Sequence, residues 1–363
     1  MTEKNKTKVL AFYLPQFHTF PENDEWWGKG FTEWTNVKKA KPLYKKHNQP
    51  RVPKNGKYYD LKDVQVMKKQ MQLAKKYGVY GFCYYHYWFD GKLLLHEPLE
   101  KMLELKDEDK LEYCFCWANE PWTRAWEGSR EVLMPQNYGE KGDWEKHFQY
   151  LLRFFNDNKY IKIKNKPMLA LYRTNNIPDC EKMITYWDER CREEGFDGIY
   201  IIEEKNSFQN ESACDSSAAI LEFEPMYTLK YRRTFSRRIM DRIYAKIDNL
   251  INKNNLLLYK YDDVWNNIVT RKHPSEQGKK EFLGAFVDWD NTPRKGRNGL
   301  IIRGATPEKF QHYFSLQLER AQQMNSEFLF INAWNEWGEG TYLEPDKSNG
   351  YKYLEIIKDC LDR

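Results

Sequence analysis

Two glutamates three residues apart, Glu336 and Glu339, lie in a segment that reads Trp334-Asn-Glu-Trp-Gly-Glu-Gly340. Paired carboxyl groups suit glycoside chemistry. One protonates a leaving oxygen while the other acts as base or nucleophile around an oxocarbenium-like transition state. In a regular strand, residues three apart point to opposite faces, so the pair serves one pocket only if the chain turns at Trp337-Gly338. Gly338 and Gly340 supply the backbone freedom for that turn. The competing reading makes one of the two a surface or salt-bridged residue.

Other polar and aromatic residues recur at matching places along the chain: His18, Tyr84-Tyr85-His86-Tyr87-Trp88, Trp117-Ala-Asn-Glu-Pro-Trp122, Glu203-Glu204, Glu222, Glu224 and Asp288-Trp-Asp290. Each closes or follows a short apolar, β-branched or aromatic run. The runs are residues 9–17, 79–89, 112–118, 167–173, 199–203, 218–223, 282–288 and 328–334. Eight such runs alternating with amphipathic stretches predict an α/β fold, a single (β/α)8 TIM barrel over residues 1–363. The barrel would gather all of these residues at its C-terminal face.

The intervening helices are legible in apolar spacing. Val64, Met67, Met71 and Ala74 mark one over 61–77, and Phe310, Tyr313, Phe314 and Leu318 mark another over 307–324. Gly78 suits the C-terminus of the first. Two stretches exceed a minimal barrel: a long Trp- and Lys-rich first βα loop over 18–59, and a basic, helix-like insert over 226–277 between strands six and seven. That insert holds eleven Lys and Arg against five Asp and Glu, so the net charge of +5 is local.

With 13 Trp and 25 Tyr, much of the apolar surface comes from rings. Such rings suit clefts that stack on the C–H faces of sugars, or simply an aromatic core. The seven cysteines include no CxxC pair and no His at zinc spacing, so neither a metal nor a cofactor is expected. Cys83, Cys114 and Cys116 read as small apolar strand residues. The polar start of the chain has no apolar stretch suited to a signal peptide or membrane span, and a cytoplasmic chain is the expectation. No nucleic-acid motif accompanies the basic insert, although Arg232, Arg233, Arg237, Arg238 and Arg242 suit peripheral contact with an anionic polysaccharide or membrane surface.

The segment Asn335-Glu-Trp-Gly-Glu-Gly-Thr-Tyr-Leu-Glu-Pro345 resembles the corresponding motif of family 99 glycoside hydrolases, the endo-α-1,2-mannosidase and mannanase group. With Phe12-Tyr-Leu-Pro-Gln-Phe-His18, Glu22-Asn-Asp-Glu-Trp-Trp-Gly-Lys-Gly-Phe-Thr-Glu-Trp34 and Trp117-Ala-Asn-Glu-Pro-Trp122, the likeness is closer still to their WbsX-like relatives from bacterial polysaccharide loci. The resemblance implies retaining cleavage of an α-linked, mannose-like or related sugar in an oligosaccharide or polysaccharide. It implies that Glu336 removes the proton of the substrate 2-hydroxyl to give a 1,2-anhydro sugar. Glu339 would protonate the leaving group and then activate water. Substrate contacts are expected from His18, Trp34, Tyr85, His86, Trp117, Asn119, Glu120, Asp288 and Asn335. Trp26, Trp27 and Trp34 either stack on sugar or pin the first loop.

Two rival functions follow from the same residues. WbsX-like proteins carry a glycosyltransferase label, and Asp288-Trp-Asp290 is formally a D-x-D that can hold a divalent metal on a nucleotide-sugar diphosphate. No glycine-rich phosphate loop accompanies it. A non-catalytic sugar-binding barrel is the other rival, and the presence of both glutamates counts against it.

Overall fold

A computed structural model describes residues 6–124, 131–272 and 278–363. Eight parallel strands form its centre: β1 Lys8–Tyr13, β2 Val79–Phe89, β3 Glu112–Trp117, β4 Lys166–Leu171, β5 Tyr200–Lys205, β6 Ala219–Glu222, β7 Lys280–Phe286 and β8 Phe328–Asn332. Each pairs with its neighbour in chain order, and β1 pairs with both β2 and β8, so the sheet closes on itself. This is the expected (β/α)8 barrel. Closure removes sheet edges and buries both faces of every strand, which is why the strands read as nearly continuous apolar runs. Rings fill the bore: Phe12 meets Tyr85 at 5.5 Å, Phe223 at 5.1 Å and Phe330 at 5.8 Å between centroids.

Helices α1 Pro21–Trp27 and α2 Glu33–Lys39 stand in the long first loop, followed by α3 Val64–Lys76. The wall continues with α4 Glu97–Leu103, α5 Lys141–Phe155 and α6 Cys180–Glu193. Between β6 and β7 come α7 Met226–Tyr231, α8 Phe235–Asn252 and α9 Tyr261–Val269; α10 Thr292–Lys295 and α11 Pro307–Gln323 lead to β8, and α12 Lys352–Leu361 ends the wall. The predicted apolar faces do cover the barrel: α3 buries Met67, Met71 and Ala74, and α11 buries Phe310, Tyr313, Phe314 and Leu318. All seven cysteines are free and buried.

Six of the eight strands stop sooner than their apolar runs suggest, because side chains take over from the backbone ladder at the rim. The Asn335 amide accepts from Leu14 N at 2.8 Å and donates to Leu14 O at 3.0 Å. Asn119 makes the same clasp on Arg173, accepting from N and donating to O at 2.8 Å each. After Leu14, Pro15 has no N–H to extend the strand.

The insert between β6 and β7 is less helical than its sequence suggests. Leu257–Lys260 is a strand that pairs in parallel with Leu300–Arg303. Helix α9 belongs to the barrel wall, burying Tyr261, Val264, Trp265 and Ile268. Residues 273–277, the end of the expected insert, lie outside the described residues.

Candidate active site

At the C-terminal face of the barrel lies a cleft of about 400 Å³. Glu336, Glu339 and Arg294 line it, with Tyr85, Tyr87, Trp122, Tyr172 and Trp289 among its aromatic walls. The rings brace one another: Trp122 meets Trp26 and Tyr87 at 5.4 Å each. Burial holds the Tyr85, Tyr87 and Tyr172 phenols well above their ordinary pKa, so they remain neutral hydroxyls. A groove of about 1010 Å³ opens at the opposite end of the barrel, between strand starts such as Lys8, Val79 and Phe328. Barrel chemistry gathers where the strands end, so the smaller, carboxylate-bearing cleft is the candidate site.

One guanidinium organises the carboxylates. Arg294 Nη2 donates to Glu336 Oε2 at 3.0 Å, Nη1 to Glu339 Oε1 at 2.8 Å and Nε to Glu33 Oε1 at 2.9 Å. The planar fork of arginine suits this three-way contact, which a point-charge ammonium does not reproduce. Burial works against the charged guanidinium, but the three carboxylates outweigh it and hold its pKa well above the ordinary value. Burial above all, with Glu339 and Glu33 nearby, raises Glu336 to about 8 against the pull of Arg294. Glu33 is also raised by burial, despite Arg294.

The turn that brings the two glutamates to one cleft is a short 3-10 turn over Trp337–Glu339. A Cβ on Gly338 would lie 1.7 Å from Glu33 Oε1, so only glycine allows Glu33 to sit against this turn. Gly340 follows at φ +69, with Asp290 O 2.8 Å from where its Cβ would be. Behind the turn, Trp337 stacks on Tyr342 at 3.8 Å and donates to Glu344 at 2.7 Å. Glu344 also accepts from Tyr59 and Gln70, and burial raises it to about 7.

Of the residues singled out from sequence, Tyr85, Glu120, Glu336 and Glu339 share the cleft wall, and so does Trp27. Glu120 meets Arg173 at 3.4 Å. Trp34 packs beneath Trp337, its indole donating to Tyr59 O at 2.8 Å, so it pins the first loop. Asn119 and Asn335 are the two rim clasps. His86 and Trp117 point outward to α5: His86 Nε2 lies 2.8 Å from His147 Nε2, and Trp117 packs edge-on against His147 at 4.6 Å. Burial lowers His86 to about 3, so it stays neutral. His18 is buried beside Phe20, outside the cleft wall, and burial lowers it to about 4.

The carboxylates expected to gather in one pocket are largely engaged by basic or amide side chains instead. Asp288 pairs with Arg51 at 2.8 Å; Asp290 meets His47 at 2.8 Å and Gln49 at 2.7 Å. Burial raises Asp288 against the pull of Arg51. Burial would raise Asp290 too, but His47, Arg51 and Thr292 outweigh it and hold it at about 2. Glu203 meets Lys279, and Glu222 and Glu224 share Arg271. Glu204 is buried in the bore, beside Cys116 at 3.0 Å, and burial raises it to about 7.

Arg294 and Glu33 are the residues that sequence reasoning passed over. Glu33 stood next to Trp34 in a quoted motif. Arg294 stood in a short Thr-Pro-Arg turn soon after the end of strand seven, a place where a cation faces a barrel pocket.

The family model described as Glycosyltransferase WbsX matches residues 9–357. Two curated relatives, each described as "Uncharacterized protein WxcX" and both from Xanthomonas campestris pv. campestris, are 32% identical over 362 residues. The match covers 98% of this chain and 50% of each relative, so the chain spans about half their length. Among solved structures, a "Glycoside hydrolase-like protein" is similar at TM-score 0.58 and 14% identity, covering 98% of this chain and 94% of that one. The GH99 endo-α-mannosidase from Bacteroides thetaiotaomicron, in complex with Bis-Tris propane, is similar at TM-score 0.58 and 13% identity over 98% and 96% of the two chains. At these identities the likeness is one of fold.

Proposed function

The chain belongs to the family described as Glycosyltransferase WbsX, and on that premise we propose that it is a carbohydrate-active enzyme, residues 1–363 forming one catalytic unit that breaks an α-linked glycosidic bond in an oligosaccharide or polysaccharide. The observation that carries this reading is the Arg294 fork, which holds Glu336 and Glu339 together in an aromatic cleft. The fold of the GH99 endo-α-mannosidase supports the same class of chemistry.

The proposed reaction has two steps. Glu336 accepts the proton of the sugar 2-hydroxyl as that oxygen attacks C1. The bond from C1 to the leaving oxygen breaks, and Glu339 delivers its proton to that oxygen. Water, or an acceptor hydroxyl, then gives a proton to Glu339 and attacks C1; the C1–O2 bond of the anhydro sugar breaks and O2 regains its proton from Glu336. Two inversions give net retention. The sugar is its own nucleophile, so two carboxyl groups suffice.

Both steps need one proton on the glutamate pair and one vacancy. The proton and the vacancy change places between the two carboxyl groups through the cycle, so what matters is whether the two together hold one proton. Glu336, which burial raises to about 8, holds a proton into the alkaline range. As pH rises through that value the single proton is lost and no acid remains, whichever glutamate delivers it. A pH profile of kcat/KM on a soluble glycan should therefore fall about tenfold between pH 7 and pH 9. Activity still rising at pH 9 would remove Glu336 from the proton inventory.

Transfer from a nucleotide sugar is the second reading, favoured by the family description. Against it stands the engagement of Asp288 and Asp290 by Arg51, His47 and Gln49, which occupies carboxylate oxygens that a divalent cation would need. Incubation with α-linked oligosaccharides and, in parallel, with nucleotide sugars plus magnesium or manganese separates the readings. The expected result is release or exchange of sugar without nucleotide. Glycan extension that consumes nucleotide sugar would replace the proposed reaction with transfer.

A further inference from the structure

We infer that α8 is an interfacial helix that seats the barrel on an anionic lipid surface. A helix on a globular protein ordinarily turns its apolar side inward and its charges to water. In helix α8 Tyr244 and Ala245 pack inward, but the larger aliphatic side chains point to solvent and much of the charge points to the protein. The polar side of the helix faces the protein, where Arg237 meets Asp263 at 2.8 Å, Asp241 meets Arg233, and Asp248 meets Arg303 at 3.0 Å. Asn249 donates to Leu256 O at 2.9 Å, and no residue of the helix is buried.

The opposite side carries Phe235, Ile239, Ile243, Ile247, Leu250 and Ile251, exposed from 40% at Ile239 to 82% at Leu250. At about 100° per residue these positions span an arc of roughly 160°. Arg238 and Arg242, both exposed, border the arc on one side, and exposed Lys246 lies just inside that edge. Both acidic residues of the helix, Asp241 and Asp248, are turned inward to arginines, so its outward face combines apolar and cationic groups without a carboxylate.

That charge pattern selects the occupant. A partner protein's core interface is depleted of charge, whereas a bilayer surface offers an apolar layer directly below a layer of phosphates. Isoleucine and leucine side chains reach the acyl boundary, while guanidinium and ammonium groups on flexible stems meet anionic headgroups. Among the described residues no helix is long and apolar enough to cross a membrane, so α8 would lie in the plane of the surface. Helix α7 joins it to the cleft, because Met226 at the start of α7 lines the cleft wall. Docking would therefore hold the cleft next to the membrane. The assignment does not depend on the reaction class.

Flotation of the full chain with phosphatidylcholine vesicles, with and without phosphatidylglycerol, tests it. The chain should float when phosphatidylglycerol is present, and recovery should fall as salt screens the cations. Ile243→Asp with Ile247→Asp alters only exposed positions and should keep the circular dichroism and thermal melt of the parent. It should lower vesicle binding by about tenfold or more, and Arg242→Glu with Lys246→Glu should do the same. Failure of the parent chain to float with phosphatidylglycerol, or equal flotation of the aspartate variant, overturns the inference. A dimer seen by light scattering that the aspartate pair abolishes, in a chain that binds no vesicles, assigns the face to a second copy instead.

Discussion

Glu336→Gln is expected to lower turnover of an α-linked glycan by about 10³-fold while leaving the fold intact, and Glu339→Gln to do so unless the leaving group needs no proton and the incoming nucleophile has none to lose. The two glutamates share a guanidinium, yet the proposed steps ask different things of them. Without Glu336 nothing accepts the 2-hydroxyl proton, so no leaving group restores the first step. Without Glu339 an aryl glycoside still departs, because its phenolate needs no protonation. The anhydro sugar then waits for a deprotonated nucleophile. Azide, which has no proton to lose, should restore turnover to Glu339→Gln and not to Glu336→Gln. Steady-state rates on aryl and alkyl glycosides, each with and without azide, read this directly. Equal rescue of both variants would end the division of roles.

The fold should not confuse that measurement. Burial raises Glu336 to about 8, above its value in an unfolded chain, so the folded state binds that proton more tightly. Its contribution to stability is full below the ordinary carboxylate range and is lost as pH rises through about 8. Near pH 7 the side chain is mostly protonated, and glutamine copies that neutral shape. Thermal unfolding of Glu336→Gln near pH 7 should match or exceed that of the parent.

What the sequence made legible was the end of each strand, and what it left open was the face. Eight apolar runs announced a barrel, and β2 begins and ends where its run does. The side chains at the strand ends then divide by the period of two that governs a strand. Tyr85 and Tyr87 enter the cleft while Trp88 stacks on His147 and His86 lies tilted against it. Ala118 and Glu120 enter it while Trp117 and Asn119 turn away. Leu14 and Gln16 line it while Phe17 packs on Trp34. Applied to each run in turn, alternation would have sorted the candidates. It would not have found Arg294 or Glu33, because both come from loops whose approach to the β8 turn is a tertiary fact. Nor does it say which acidic groups meet a cation, and Asp288, Glu203 and Glu222 all do.

Arg294 is the second place where a large effect is expected, and two variants together separate its roles. Arg294→Met leaves Glu33, Glu336 and Glu339 without the cation they share, and an unmatched buried charge costs about 3–5 kcal/mol. Much of that cost falls on Glu33, which is fully buried and has Arg294 as its cation. Adding Glu33→Gln removes one negative charge without changing shape, so the double variant should recover a large part of the stability lost in Arg294→Met. Turnover should not follow. Glu336 and Glu339 would still lack the fork that sets their relative position, and loss of an oriented, preorganised charge costs about 10²–10³ in rate. Arg294→Lys supplies charge without the fork, so it should lie near the parent in stability and near Arg294→Met in rate. Denaturant melts and kcat/KM for the three variants give the answer. If the double variant regained both stability and turnover, the arginine would be a structural counter-ion; if stability alone returned, the guanidinium would be positioning the pair for the reaction.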